Sequence, residues 1–404
     1  MSEGEGEGEG ETASPPHSGR VLAALIIGQV GLHSAMAGLR LAAPLQALGE
    51  GYSAWSVGLL LALFAAAPVL LAMHAGRLAD RWGYHRPVHV SVALACAGVL
   101  FALLSTRLHG GLHFTTLCVA AMLAGSGANM GMLTIQRTAG LAARNATERV
   151  RVFSWLGIAP SFSNVVGPVA VGFMIDAAGF AAAYALLFLM PLATLVSARS
   201  VPATPPRANA SSRLAGNAWE LLAAPGMKRL LIVNWLLSMC WDVHSFAVPI
   251  LGHERGFSAS TIGLVLGTFT LSVTCVRFFI PMLADRLREG QVVRAAMFGT
   301  GLVFALYPLA HTPWLMAGCA VLLGLTLGCV QPMIMSTLHH LTPDNRHGEA
   351  LALRSMAINA SSTLMPLLFG AAGTLVGAAA LFWTVGGAVG AGSWVARRLQ
   401  TARA

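Results

Sequence analysis

The chain contains part of itself twice. Residues 44–81 align with residues 249–286 at a constant offset of 205 and without a gap, and twelve of the 38 columns are identical. Pro44/Pro249, Gly51/Gly256, Gly58/Gly263, Phe64/Phe269, Asp80/Asp285 and Arg81/Arg286 are among them. Both copies are strongly apolar. Two like halves of several apolar segments each must fold alike, and whatever lies where they meet is built by both. In membrane proteins that plan places a solute site at the repeat interface.

Composition points to the same solvent. Hydrophobic residues make up 56% of the chain and charged residues 10%, against about 25% charged in a soluble chain. The net charge of +9 falls mostly in short gaps between apolar runs, so it reads as membrane orientation and not as a nucleic-acid footprint. Cys96, Cys118, Cys240, Cys275, Cys319 and Cys329 all lie inside apolar runs with no CxxC pair. They read as small core residues, and neither a disulfide framework nor a metal site is implied. Residues 1–20, MSEGEGEGEGETASPPHSGR, lack an apolar signal region and read as a disordered acidic cytoplasmic tail.

The apolar runs predict an all-α membrane protein. Twelve spans are expected at about 21–46, 55–75, 87–105, 114–136, 152–175, 180–198, 229–251, 260–283, 294–310, 314–336, 350–373 and 376–396. With the N-terminus inside, twenty Lys and Arg residues fall on the inside and only Arg107 and Arg255 outside. This bias predicts both termini in the cytoplasm. The Pro-, Ala- and Ser-rich stretch 199–228 reads as a cytoplasmic linker between six-helix bundles at 21–198 and 229–396, with a short tail at 397–404.

The loop Gly76 to Pro87 reads GRLADRWGYHRP. It resembles the signature loop of the major facilitator superfamily, approximately Gly-x-Leu-Ala-Asp-Arg-x-Gly-Arg-Lys/Arg. Gly76, Leu78, Ala79, Asp80, Arg81 and Gly83 match, and Arg86 stands slightly later than the usual basic pair. A degenerate copy, PMLADRLREG, carries Asp285 and Arg286. The resemblance implies two pseudo-symmetric six-helix bundles that rock about a central site, with this loop latching them. The stretch Ser163 to Asp176 resembles the family's exporter element at Gly167, Pro168 and Gly172, where small residues and proline permit close helix approach. Two departures stand against proton antiport by the usual drug-exporter route: Ala121 occupies an arginine position, and the first span lacks an acid. Glu148 and Glu349 recur in like loops before the fifth and eleventh spans and read as gate or loop structure.

Charges inside spans are functional candidates by default. Arg40 falls opposite Ser245 in the aligned repeat, about one helical turn from Asp242. This predicts that Arg40 holds an anionic group of a substrate or pairs with Asp242, and that Asp242 carries a coupling proton. The rival reading is that Arg40 snorkels to the interface and Asp242 is structural. His244 and His33 are secondary proton candidates, and Trp241 is a stacking candidate. Gln136, Gln331, Asn129 and Asn359 are candidate hydrogen-bonding partners. Arg277 and Arg354 read either as a positive inner vestibule or as anchors for lipid phosphates.

No GxxxxGK[ST], HExxH or GxSxG constellation is present, so ATP hydrolysis and membrane enzymology have no sequence support. The expectation is a monomeric secondary transporter without cofactor. Its partners would be a small-molecule solute, protons or another coupling ion, and membrane lipids. Export of an amphiphilic or drug-like solute is favoured; uptake or exchange of an organic anion is the alternative, and a non-transporting receptor or scaffold is a third.

Overall fold

The computed structural model describes residues 16–142, 152, 155–203, 218–283, 288–342 and 347–396. Side chains at 16–18, 72–77, 79–81, 142, 218–219, 281–283, 339, 347–349 and 351–352 fall outside that description. No strand occurs among the described residues. The helices are α1 (Pro16–Gly49), α2 (Ala54–Trp82), α3 (His85–Ser105), α4 (Gly110–Ala142), α5 (Ile158–Ala198), α6 (Met227–Glu254), α7 (Ala259–Leu283), α8 (Glu289–Leu306), α9 (Pro313–Gly328), α10 (Val330–Leu341) and α11 (His347–Ala396).

Ten helical stretches among the described residues are long and apolar enough to cross a bilayer. Two of them are broken in the middle. In α5 the break is Gly179 (φ 79°, ψ 178°), and in α11 it is Gly377 (φ 80°, ψ 162°). A Cβ disfavours that backbone, so glycine punctuates both helices where the sixth and twelfth spans are expected to begin. The ten stretches therefore carry the twelve expected segments.

Two expectations need adjustment. The tenth span is shared by α9 and α10, which separate at Cys329. Pro332 explains the break, since its ring removes a donor and crowds the carbonyl of Gly328. The cysteines are not uniformly core: Cys240 and Cys319 are buried, whereas Cys275 is exposed. Leu70, Phe278 and Leu375 are exposed too, as apolar surroundings allow.

Within the first half α1 packs on α5, and α4 on both α2 and α3; within the second, α11 packs on α6 and α8, and α7 on α9. The halves meet where α2 lies on α11 and where α5 lies on α7. Pairs of corresponding residues make the pseudo-twofold relation visible. A Cβ on Gly125 would lie 2.3 Å from the Phe64 carbonyl oxygen, and one on Gly324 would lie 2.5 Å from that of Phe269. Between halves, a Cβ on Gly58 would lie 2.3 Å from the Pro366 oxygen, and one on Gly263 2.5 Å from the Pro168 oxygen. Gly370 faces the Ala54 carbonyl at 3.0 Å, and Gly172 faces that of Ala259 at 2.5 Å. Backbones at both seams touch because no side chain separates them.

The four seam glycines sit near the starts of α2 and α7, so the halves are closed together at the face that carries the α1–α2 and α6–α7 turns. Gly51 (φ 82°) and Gly256 (φ 70°) shape those two turns.

Candidate functional site

Behind the seams, a small cavity of about 60 Å³ lies between the halves. That is room for roughly two waters. Ala37, Arg40 and Leu41 of α1, Leu61 of α2, and Asn164 and Pro168 of α5 form one wall; Trp241, His244 and Ser245 of α6 and Leu266, Phe269 and Thr270 of α7 form the other. Arg40 and Ser245, which correspond in the repeat, thus face the same space, as do the corresponding Leu61 and Leu266.

Arg40 makes no hydrogen bond among the described residues. Its five N–H donors border a cavity whose opposite wall is aromatic. Phe269 is the hub of that wall, with Trp241 edge-on at 4.6 Å and His244 tilted at 4.3 Å between ring centroids. His244 is fully buried. Its Nε2 lies 2.9 Å from the Tyr307 hydroxyl, and its Nδ1 has no partner. Tyr307 in turn stacks on Phe382 at 4.6 Å and 2° between planes, so the imidazole is fixed by a rigid neighbour.

Asp242 does not line the cavity, and here the geometry departs from the expected pairing. Arg40 and Asp242 sense one another electrostatically, but no ion pair joins them. Instead the carboxylate accepts from Ser361 Oγ at 2.7 Å and Ser362 Oγ at 3.3 Å, both on α11. Two hydroxyl donors on the neighbouring helix satisfy the buried acid, which frees Arg40 from it.

The other candidates disperse. His33 lies within electrostatic reach of Arg40 without lining the cavity. Gln136 and Asn129 are half-buried and Asn359 is exposed, all away from the cavity wall. Gln331 accepts from Arg277 Nη2 at 3.4 Å, and Arg354 Nε donates to Asn234 Oδ1 at 3.2 Å. These residues form a separate group among α6, α7, α10 and α11.

Of the expected latch, Gly76 falls within α2, while the side chains of Asp80 and Arg81 and all of Asp285 and Arg286 lie outside the described residues, as do Glu148 and the Glu349 side chain. Gly83 is buried at the turn before α3, and the Arg86 guanidinium lies 4.0 Å over the Trp82 ring. Tyr84, in place of a basic residue, is buried, and burial pushes its phenol up to about 12. That position is therefore neutral, and Arg86 supplies a cation beside it.

The packing element Gly167, Pro168 and Gly172 has a larger part than motif reading suggests. Gly167 seats α5 on α1, with a Cβ 2.5 Å from the Ser34 oxygen, while Pro168 and Gly172 meet α7 of the other half. One turn further, Asp176 accepts from the backbone N–H of Ala259 at 3.0 Å and of Ser260 at 2.8 Å. A carboxylate from one half thus caps the first turn of a helix in the other. Asp176 stands one residue beyond the expected fifth span, and no sequence pattern places the start of α7 against it. Asn164 had a weak signal, a polar residue inside an apolar run; Tyr307 had none.

A cavity shared by two pseudo-symmetric helical halves, closed at one face and lined by a free cation, defines a membrane transporter of the alternating-access type. The sequence model of the Major Facilitator Superfamily matches residues 25–229 and 230–403. The chain belongs to that superfamily and is a secondary transporter of small molecules. Among curated proteins it is similar to the enterobactin exporter EntS of Salmonella typhi, with 26% identity over 332 residues, covering 77% of this chain and 75% of that one. The enterobactin exporter EntS of Escherichia coli O1:K1 / APEC is also 26% identical, over 308 residues, covering 74% and 72%. Among solved structures, the nucleoside transporter NupG superposes with a TM-score of 0.75 at 12% identity, over 94% of this chain and 99% of that one. A bacterial homologue of the iron transporter ferroportin in its inward-facing state gives 0.74 at 16%, over 95% and 99%. These two likenesses speak to the fold.

Proposed function

We propose that the protein exports a small amphiphilic organic molecule bearing an acidic group, with Arg40 as its anchor. The observation that carries this reading is the Arg40 guanidinium, free of hydrogen bonds on the wall of a cavity shared by both halves. Opposite it, the half-buried Trp241 ring, backed by the buried Phe269, offers an aromatic surface for an apolar body. Export is supported by the similarity to proteins named as enterobactin exporters across about three quarters of the chain. Uptake or exchange of an organic anion is the second reading, favoured by the same arginine.

The bundles are assigned to 21–198 and 229–396, joined by a cytoplasmic linker at 199–228, with cytoplasmic tails at 1–20 and 397–404. The Lys and Arg bias supports both termini in the cytoplasm of a cell whose inner membrane holds the protein as a monomer. The closed seams then face outward. Asp242 is the coupling group: held by Ser361 and Ser362 on α11 and within the field of Arg40, it exchanges its proton when an anionic substrate replaces or relieves that field.

Purified protein in liposomes under an imposed pH gradient tests this, with an anionic aromatic dye and its neutral ester compared. Gradient-driven movement of the dye is expected. Arg40→Ala should reduce dye transport at least tenfold while sparing the ester, and Asp242→Asn should abolish accumulation while leaving downhill exchange. Equal loss for dye and ester in Arg40→Ala would remove Arg40 as anion anchor. Continued uphill movement in Asp242→Asn would remove the coupling role, and movement only towards the face that carries the two termini would favour uptake.

A further inference from the structure

A second group of cationic side chains lies in the C-terminal bundle, apart from the central cavity. Arg354 on α11 is only 9% exposed, and its Nε donates to Asn234 Oδ1 on α6 at 3.2 Å. Arg277 on α7 reaches Gln331 Oε1 on α10 at 3.4 Å, the edge of hydrogen-bonding distance. The two guanidiniums are close enough to repel one another, and neither meets a carboxylate among the described residues. Two further buried atoms here lack partners, Arg277 Nε and Asn234 Nδ2. Both are donors, while the Asn234 and Gln331 oxygens are already used. Buried donors and like charges gathered in one place are incomplete by themselves. What completes them is a group that accepts from several N–H donors at once and carries negative charge.

We propose that Arg277, Arg354 and Asn234 form an oxyanion site that takes a carboxylate or a phosphate, distinct from the Arg40 cavity. Planar guanidiniums match both groups with paired hydrogen bonds. The Asn234–Arg354 contact sits roughly two helical turns from the Asp242–Ser361 contact, on the side away from the closed seams. Both contacts join α6 to α11, so the second site lies along the route by which an acidic solute reaches the centre from that side. The same chemistry fits the phosphate of an anionic lipid.

The test is thermal unfolding of the full chain. In uncharged detergent, inorganic phosphate and acetate are titrated against chloride at matched ionic strength. In nanodiscs, phosphatidylcholine is compared with and without phosphatidylglycerol. A saturable rise in melting temperature with phosphate or acetate, and not with chloride, identifies a soluble oxyanion. A rise only with phosphatidylglycerol identifies a headgroup. Either supports the site if Arg277→Gln and Arg354→Gln each weaken the response at least tenfold while Arg40→Gln retains it. Because the cations repel, Arg277→Gln should also melt higher than the parent protein without anion, whereas a purely structural arginine would lower the melting temperature. No anion-specific response in either medium, or a response unchanged in both glutamine variants or lost equally in Arg40→Gln, overturns the proposal. The central site is read separately, from transport of the dye and its ester by Arg40→Ala.

Discussion

The two seams between the halves share a backbone and differ in one charge. At each, a glycine of the repeat, Gly58 or Gly263, lies against the carbonyl of a proline, Pro366 or Pro168, and a second glycine, Gly370 or Gly172, lies against the carbonyl of Ala54 or Ala259. At the α5–α7 seam, Asp176 adds two hydrogen bonds to the first turn of α7. At the α2–α11 seam the corresponding residue is Thr374, whose hydroxyl donates to Ala371 of its own helix at 2.7 Å, and no side chain accepts the Ala54 or Trp55 amide among the described residues. Both copies keep the like glycine–carbonyl contacts of the seam, and only one of them carries a carboxylate across it, which reads as a lock on that side. A carboxylate at a helix N-terminus is favourable through both the orphan N–H groups and the helix dipole. Opening the closed face must break that interaction at one seam only.

The comparison is broken most severely by filling a seam. Gly58→Leu or Gly263→Leu puts a side chain where a backbone oxygen sits within 2.5 Å of the first added carbon. Overpacking of about 3 kcal/mol corresponds to roughly a hundredfold shift away from the closed face. A cysteine at Ser260, labelled by a membrane-impermeant maleimide, should react correspondingly faster, and transport should fall. Equal effects at both glycines support the symmetry; a silent Gly58→Leu would deny it.

A smaller effect isolates the lock. Asp176→Ala removes a cap worth about 1 kcal/mol, or about fivefold in the same labelling rate, with no corresponding change for Thr374→Ala. The smallest effect runs the other way: Thr374→Asp should build a second lock, slowing labelling of a cysteine at Trp55 by about twofold, consistent with roughly 0.5 kcal/mol at an exposed helix N-terminus. If Asp176→Ala and Thr374→Asp both leave labelling unchanged, the difference between the seams has no energetic weight.

Much of the fold was legible because it is written in short-range features. Apolar runs mark the spans, and the structure's breaks at Gly179 and Gly377 fall where the sixth and twelfth were expected to begin. The repeat also anticipated that Arg40 and Ser245 occupy like places, and both line the cavity. What misled was the inference from proximity along the repeat to partnership. Asp242 lies about one turn from the position matching Arg40, yet Ser361 and Ser362 were the nearer donors once α11 packed against α6. The grouping of Arg277 with Gln331, and of Arg354 with Asn234, likewise joins residues from four helices that no spacing relates.

Hydropathy, duplication and the superfamily's loop motif were therefore properties of the chain alone: they follow from what each segment needs of its solvent and from inheritance of one half from the other. Which donor meets which acceptor was decided only when the helices came together. Hydrogen bonds act over about 3 Å, and the residues joined by them at Asp176, Asp242 and His244 stand far apart along the chain, so their partners exist only in three dimensions.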